Sequence, residues 1–353
     1  MTSFCKTVIV ILLLLPAILH AQAIKGRVTD AVTGKPIENA SVYLDGTSQG
    51  TTSDSEGNFM LNNNLQTKAP LVVSYLGYQS QTIKNYEQTN LNLALKRKVM
   101  VLNEVTISTD QIRRARALRI FMNEFIGANN NDCAISNPDD IYFKYDKKQE
   151  LLTADAEKPL VITNKVLGYK ITFFLASFSR TPLKTQYKGN YFFTEDTAGL
   201  KPAAIQKIIK ARDDAYFGSR MHFIRALWAN ELDRNYFSIY KTPRKEDIYY
   251  GVEYRLDEAN RVNYNYVVKA EDGQKFIMLA KDADPNNRKF SANEVYVTYR
   301  KGSPAFMIQD DANAGVIIDK NGFYDIGLEW KKNLAAYRVN RLLPFEFVPS
   351  HNY

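Results

Sequence analysis

The chain has 353 residues, 45% of them hydrophobic and 24% charged, enough material for more than one hydrophobic core. Its formal net charge of +8 is spread along the sequence, which suits anionic surfaces in general and lacks the clustering of a nucleic-acid binder. Two cysteines and three histidines, widely separated, exclude a closed thiol- or imidazole-rich metal site and a disulfide framework.

Residues 1–23 carry one cation, Lys6, then the apolar run from Val8 to Leu15, a helix-breaking Pro16 and the small-residue pattern Ala21-Gln22-Ala23. This is the pattern of a secretory signal peptide, too short to span a bilayer permanently. No cysteine follows the expected cut, so no lipid anchor is expected. The mature protein is expected in the periplasm or at the outer-membrane periphery of a Gram-negative bacterium, without a transmembrane helix.

From residue 24 the sequence alternates in short runs. Ile24, Gly26 and Val28 alternate with Lys25, Arg27 and Thr29, and Thr33-Gly34-Lys35-Pro36 breaks the pattern. Ala40, Val42 and Leu44 predict the inner face of a second strand, ended by the hairpin signal Asp45-Gly46. Short strands follow around Thr51 and Phe59, two more in LVVSYLGYQSQTI, and a last in NLNLALK. Seven strands at this spacing predict an antiparallel, Greek-key β-sandwich over 24–96. Asp54, Glu56 and Asn58 alternate like calcium-loop oxygens, but Gly57 comes too early for that loop, so a polar hairpin with Gly57 left-handed is expected.

The order I-x-G-x-V-x-D-x-x-T-G-x-P-I-x-x-A-S-V-Y-L, then G-T-x-S-D-x-x-G-N-F and S-Y-L-G-Y, resembles the carboxypeptidase regulatory-like domain. That transthyretin-like family also occurs at the N-terminus of TonB-dependent outer-membrane transporters. The resemblance implies a non-catalytic module. A zinc carboxypeptidase needs His-x-x-Glu and a second distant His. Here His222 is followed at the third position by Arg225, and His351 lies at the far end of the sequence.

Residues 97–109 form a connector that keeps an alternating set in Val99, Val101, Val105 and Ile107. It resembles the segment after this module in TonB-dependent transporters, where an extended strand can be captured by β-addition; a last strand or a packed linker of this protein's own fold is the expected reading. Too few residues follow Ser108 for a plug and a barrel of about 22 strands. A small barrel is the lesser alternative, from EVYVTYR, VNYNYVV, YKITFFLASF and a total of 22 Tyr and 19 Phe.

Helical stretches oppose that alternative. DQIRRARALRIFMNEFIG places Leu118, Phe121, Met122 and Phe125 on one stripe, with Gly127 at the stop. A second helical region starts at Pro202, carries Ile205, Ile208 and Ile209, breaks at Gly218 and resumes with Ile224, Leu227 and Trp228. With strands near 141–194 and 235–330, residues 110–353 are expected to be an α+β domain.

The segment from Ala211 to Phe237 resembles the Ala-Tyr-x-Gly-Ser-x-x-His-Phe-x-Arg-Ala-Leu core of exported proteins that join this sandwich to an α+β domain. The resemblance implies architecture rather than activity. Ser219, after Gly218, is a good helix N-cap, and His222 and Arg225 follow at helical spacing. The catalytic reading makes Ser219 a nucleophile with His222 as its base, although neighbours on one helix rarely meet as such a pair. The other reading makes Tyr216, His222 and Arg225 a binding surface for an anionic envelope ligand.

The leading expectation is a non-enzymatic exported envelope protein, its sandwich an interaction module and its α+β domain a binder of an envelope protein or glycan. No metal or other cofactor is expected. The alternative is an esterase- or peptidase-like hydrolase using Ser219 and His222.

Overall fold

The computed structural model describes residues 23–86, 90–98, 114–128, 132–243, 267–270, 274–279, 290–311, 314–336 and 338–351. The protein is strand-rich with few helices, and begins with a β-sandwich followed by a further body. In the sandwich, β1 (Ala23–Asp30), β4 (Asn58–Asn62) and β7 (Leu91–Leu95) form one sheet in the order β4-β1-β7. The other sheet joins β2 (Ser41–Leu44), β3 (Gly50–Thr52), β5 (Leu71–Ser74) and β6 (Gln81–Ile83) in the order β3-β2-β5-β6. Alternate residues Ile24 and Val28, Phe59 and Leu61, and Leu91, Leu93 and Leu95 face Val42, Leu44, Leu71 and Val73 in one core.

Two features depart from the expected antiparallel sandwich. β7 runs parallel to β1, with Gly26 opposite Leu91 and Asp30 opposite Leu95. In β5 all four residues are buried, and in β2 the outward-pointing Tyr43 is buried with Val42 and Leu44. That outer face is covered: the Tyr43 ring stacks on Phe174 and packs against Phe192, both from the following body.

The sequence motifs of the sandwich meet in space. Asp30 accepts the Tyr78 hydroxyl at 2.7 Å, Arg97 Nε at 3.0 Å and the Val32 and Thr33 N–H groups. These bonds, Tyr78 first, hold the Asp30 carboxyl far below the usual range. Asp54 caps the expected polar hairpin, its Oδ1 accepting the Glu56 and Asn58 N–H groups, with Gly57 at φ +77°.

The connector expected at 97–109 lies, from residue 99 on, outside the described residues. The following body has two cores. The first packs α1 (Arg114–Phe121) and a π-turn (Met122–Ile126) on a six-stranded sheet. Its strands are β8 (Cys133–Ile135), β9 (Ile141–Asp146), β10 (Leu151–Ala156), β11 (Leu160–Asn164), β12 (Tyr169–Arg180) and β13 (Thr185–Glu195). β13 pairs with the whole of β12, while β11 takes the first half of the other edge and β10 the last residues. The expected helix over 110–127 is described from residue 114, and its last turn widens. That turn brings Ile126 into the core beside Phe121 and Phe125, while Leu118 and Met122 are only partly buried.

The break at Gly218 separates α2 (Pro202–Tyr216) from α3 (Arg220–Ala229). The second core gathers side chains of α3 and of the sheets β14-β17-β18-β20 and β15-β16-β19. These are β14 (Phe237–Pro243), β17 (Phe290–Tyr299), β18 (Ala305–Gln309) and β20 (Leu328–Lys331), then β15 (Val267–Lys269), β16 (Lys275–Ile277) and β19 (Val316–Ile318). Among the described residues no sheet closes on itself, and the VNYNYVV stretch behind the small-barrel alternative lies, up to residue 266, outside the described residues. α2 delivers Ala215 and Tyr216 to the first core, and α3 delivers Phe223, Ile224 and Leu227 to the second.

The sandwich joins this body through its hairpin turns. Gly46 donates its N–H to Tyr191 O at 2.8 Å and accepts the Phe345 N–H at 2.9 Å. The Asp45 carboxylate accepts the Tyr191 N–H at 2.8 Å and the Asn190 amide at 3.0 Å, and Phe193 N–H donates to Thr47 O at 2.9 Å. Gly46 has φ +71°, and a Cβ there would stand 2.5 Å from the Phe345 ring, so only glycine fits. A second contact centres on buried Asp319, which accepts the Thr67 hydroxyl at 2.6 Å and the Lys68 N–H at 2.9 Å.

Desolvation in this junction pushes the Asp45 carboxyl up from 3.8 to about 6, against the bonds from Tyr191 and Asn190. A raised carboxylate favours the folded state when protonated. Its contribution is therefore complete below about 3.8 and lost as pH rises through about 6. The expected result for Asp45→Asn, read by urea unfolding, is stability equal to wild type near pH 4 and a growing advantage over wild type toward pH 7.

Candidate functional site

The residues singled out by sequence meet at the corner between α2 and α3. Ser219 is the N-cap of α3, its Oγ accepting the His222 N–H at 3.1 Å. His222 Nδ1 accepts the Gly218 N–H at 3.1 Å, which places the ring proton on Nε2, 3.0 Å from Asn235 Oδ1. The imidazole packs against Tyr216, Phe217, Phe237 and Tyr299, with centroids 4.8 to 5.8 Å away. Burial pushes its pKa down to about 4, aided by Arg225 and Arg300 and opposed by the Asn235 bond, so the ring is neutral at pH 7.

Arg225 reaches away from solvent. Its Nε donates to Asn321 O and its Nη2 to Phe345 O, both at 3.0 Å, and its guanidinium lies 5.2 Å from the Tyr216 ring centroid. Tyr216 and His222 are 6% and 4% exposed. The structure brings Tyr216, His222 and Arg225 together, with Tyr216 and His222 buried and Arg225 half-buried. Their bonds join the first core, the second core and the C-terminal segment. Ser219 and His222 touch through the His222 backbone, and both imidazole nitrogens are engaged elsewhere.

Beside this corner opens a cavity of about 200 Å³, which Ser219 lines and the other three do not. Its walls come from β13, the start of α3, the turn at Gly322 and the segment from Arg341 to Phe345. The chemically distinctive lining residues are Lys188, Arg220 and Arg341 with the phenols of Tyr187, Tyr191 and Tyr324. Arg220 Nη1 donates to Tyr324 OH at 3.4 Å, and Arg341 Nη2 donates to Asp214 O at 2.6 Å. Tyr191 and Phe345, two of the walls, are the residues that the Gly46 backbone grips. Sequence reasoning missed this set because its members come from four distant stretches with no common spacing. The one available signal was Arg220, next to the cap residue.

Comparison with known proteins places the sandwich. Residues 24–107 match the family described as CarboxypepD_reg-like domain, and the sandwich is a domain of that kind. Over 97 residues the chain is 36% identical to the TonB-dependent receptor SusC of Bacteroides thetaiotaomicron, covering 28% of this chain and 9% of the receptor. Over 101 residues it is 34% identical to the TonB-dependent receptor P3 of Formosa agariphila, covering 27% of this chain and 10% of that one. The chain therefore spans about a tenth of each receptor it matches. Among solved structures, a membrane-associated protein of unknown function from Bacteroides fragilis aligns over 43% of this chain and 64% of its own. Its identity is 19% and its TM-score 0.17, too low to relate the folds.

The corner yields stability differences that guanidinium unfolding measures. Phe223→Ala, at a fully buried position, is expected to cost roughly 3–5 kcal/mol, and Ser219→Ala about 1 kcal/mol as a lost cap. A histidine whose pKa is depressed in the fold stabilises above its ordinary 6.5 and loses that contribution as pH falls through about 4. His222→Gln is expected to abolish this part of the acid sensitivity.

Proposed function

We propose that the protein is an exported, non-catalytic cell-envelope protein that binds an envelope partner or glycan in the cavity where its parts meet. In this reading residues 1–23 are the signal peptide, and 24–96 form a Greek-key, transthyretin-like interaction module. Residues 110–353 form the binding body, and association with the outer membrane is peripheral. The similarity of the sandwich to the N-terminal regions of TonB-dependent receptors supports an envelope setting. The observation that carries the binding function is the cavity itself. It is concave, aromatic and bordered by a few convergent polar groups, and it lies at a junction between cores, where ligand sites concentrate.

The hydrolase alternative has one feature in its favour, since Ser219 lines the cavity. A nucleophile requires a base within reach of its hydroxyl. Here the His222 nitrogens hold Gly218 N–H and Asn235, and the Ser219 oxygen holds the His222 backbone. These bonds favour binding over turnover.

Purified protein incubated with envelope polysaccharide and with chromogenic esters separates the two readings. Saturable retention of polysaccharide without ester turnover is the expected result. Saturable turnover that disappears in Ser219→Ala would replace this reading with the hydrolase.

A further inference from the structure

We propose, building on the binding reading above, that the cavity accepts a single anionic sugar ring whose acidic group pairs with Arg220. Three observations converge. The first is size: at about 200 Å³ the cavity falls below the roughly 300–1,000 Å³ typical of sites for drug-sized ligands, and suits one ring. The second is charge. Lys188, Arg220 and Arg341 line the cavity, while the lining contains no Asp or Glu among the described residues. Two acids adjoin the lining in sequence or by bonding: Asp45, engaged by the Tyr191 N–H and the Asn190 amide, and Asp214, which precedes Ala215 and accepts Arg341 Nη2 at its backbone carbonyl.

The third observation is the way the cationic groups are presented. Arg220 is half-buried at the first turn of α3, with its guanidinium held beside the Tyr324 hydroxyl. Lys188 and Arg341 are exposed. A planar guanidinium with fixed neighbours matches an oxyanion in two-point contact, and a partly desolvated one does so at less cost in side-chain freedom. The rings of Tyr191 and Phe345 line the cavity, and Phe173 backs Tyr191 at an interplanar angle of 2°. Such faces pack against the C–H surface of a sugar ring, and the phenols of Tyr187 and Tyr324 supply donors and acceptors for its hydroxyls. The chemistry common to the ligand is therefore a pyranose-sized ring carrying one carboxylate or phosphate.

Titration calorimetry of the full chain with glucuronate, glucose 6-phosphate and glucose tests the assignment and distinguishes the two acidic groups. At least one anion is expected to bind roughly tenfold or more tightly than glucose, as a charge-assisted hydrogen bond implies. Raising the salt concentration should narrow that gap. Arg220→Met, which keeps the stem and removes the donors, is expected to bring the anion down to the level of glucose. The exposed pair Lys188→Met with Arg341→Met, which leaves the buried packing intact, should weaken the anion and spare glucose. Equal binding of glucose and both anions would overturn the charge assignment while leaving a sugar site. Binding of none of the three, or an anion preference that survives both sets of substitutions, would overturn the proposal. Polysaccharide retention, measured separately, still decides the broader binding reading.

Discussion

The Gly46 turn is the tie between the sandwich and the rest of the protein that reaches both β13 and the C-terminal segment through one residue's backbone. Gly46 gives its N–H to β13 and takes an N–H from the C-terminal segment, so a single turn residue joins two stretches far apart in sequence. Asp45 completes the junction by accepting the next N–H along β13, which would otherwise be an orphan at a sheet edge. Tolerating this turn requires the absence of a Cβ, because the Phe345 ring fills that space. The sandwich is therefore not only appended to the body. Its turn fixes the positions of Tyr191 and Phe345, and those two residues are walls of the cavity.

The corner at Gly218 plays the corresponding part inside the body. α2 ends in one core and α3 begins the other, so the short corner between them carries the relative placement of both. His222 and Arg225 satisfy backbone groups across the corner: the first caps Gly218, and the second ties down Asn321 and Phe345. A charged side chain with buried carbonyl partners is costly to replace, because its removal leaves those carbonyls unpaired. Phe345 donates its N–H to Gly46 O and accepts Arg225 Nη2 at its carbonyl, which links the sandwich turn, the corner and the cavity wall in one network.

Much of the local structure was legible in the sequence. Period-2 alternation marked β1, β4 and β7, because one face of each is buried and the other is not. Pro202 and the Ser219 cap marked the starts of α2 and α3. The features that were not legible depend on contacts between distant stretches. Tyr43 is buried on the outward side of β2 because Phe174 and Phe192 of the body cover it, and the apolar run Val42-Tyr43-Leu44 was the only trace of that. The Asp45-Gly46 signal predicted a turn correctly, but turn chemistry says nothing about what docks on it. The cationic cavity was invisible for the same reason, and the burial of Tyr216 and His222 depends on the second core as well as on helical spacing. Helical spacing brings such residues to one face and does not specify whether that face meets solvent or a second core.

Hydrogen–deuterium exchange at four amides tests the central claim most directly, that the Gly46 turn organises the junction and the cavity wall. The Gly46, Tyr191, Phe193 and Phe345 N–H groups all bond across the junction, so they should exchange slowly and as a unit in the intact protein. In Gly46→Ala the four should lose protection together, while the amides between β17 and β18 keep theirs. Retention of wild-type protection at Tyr191 and Phe345 in that variant would contradict the account.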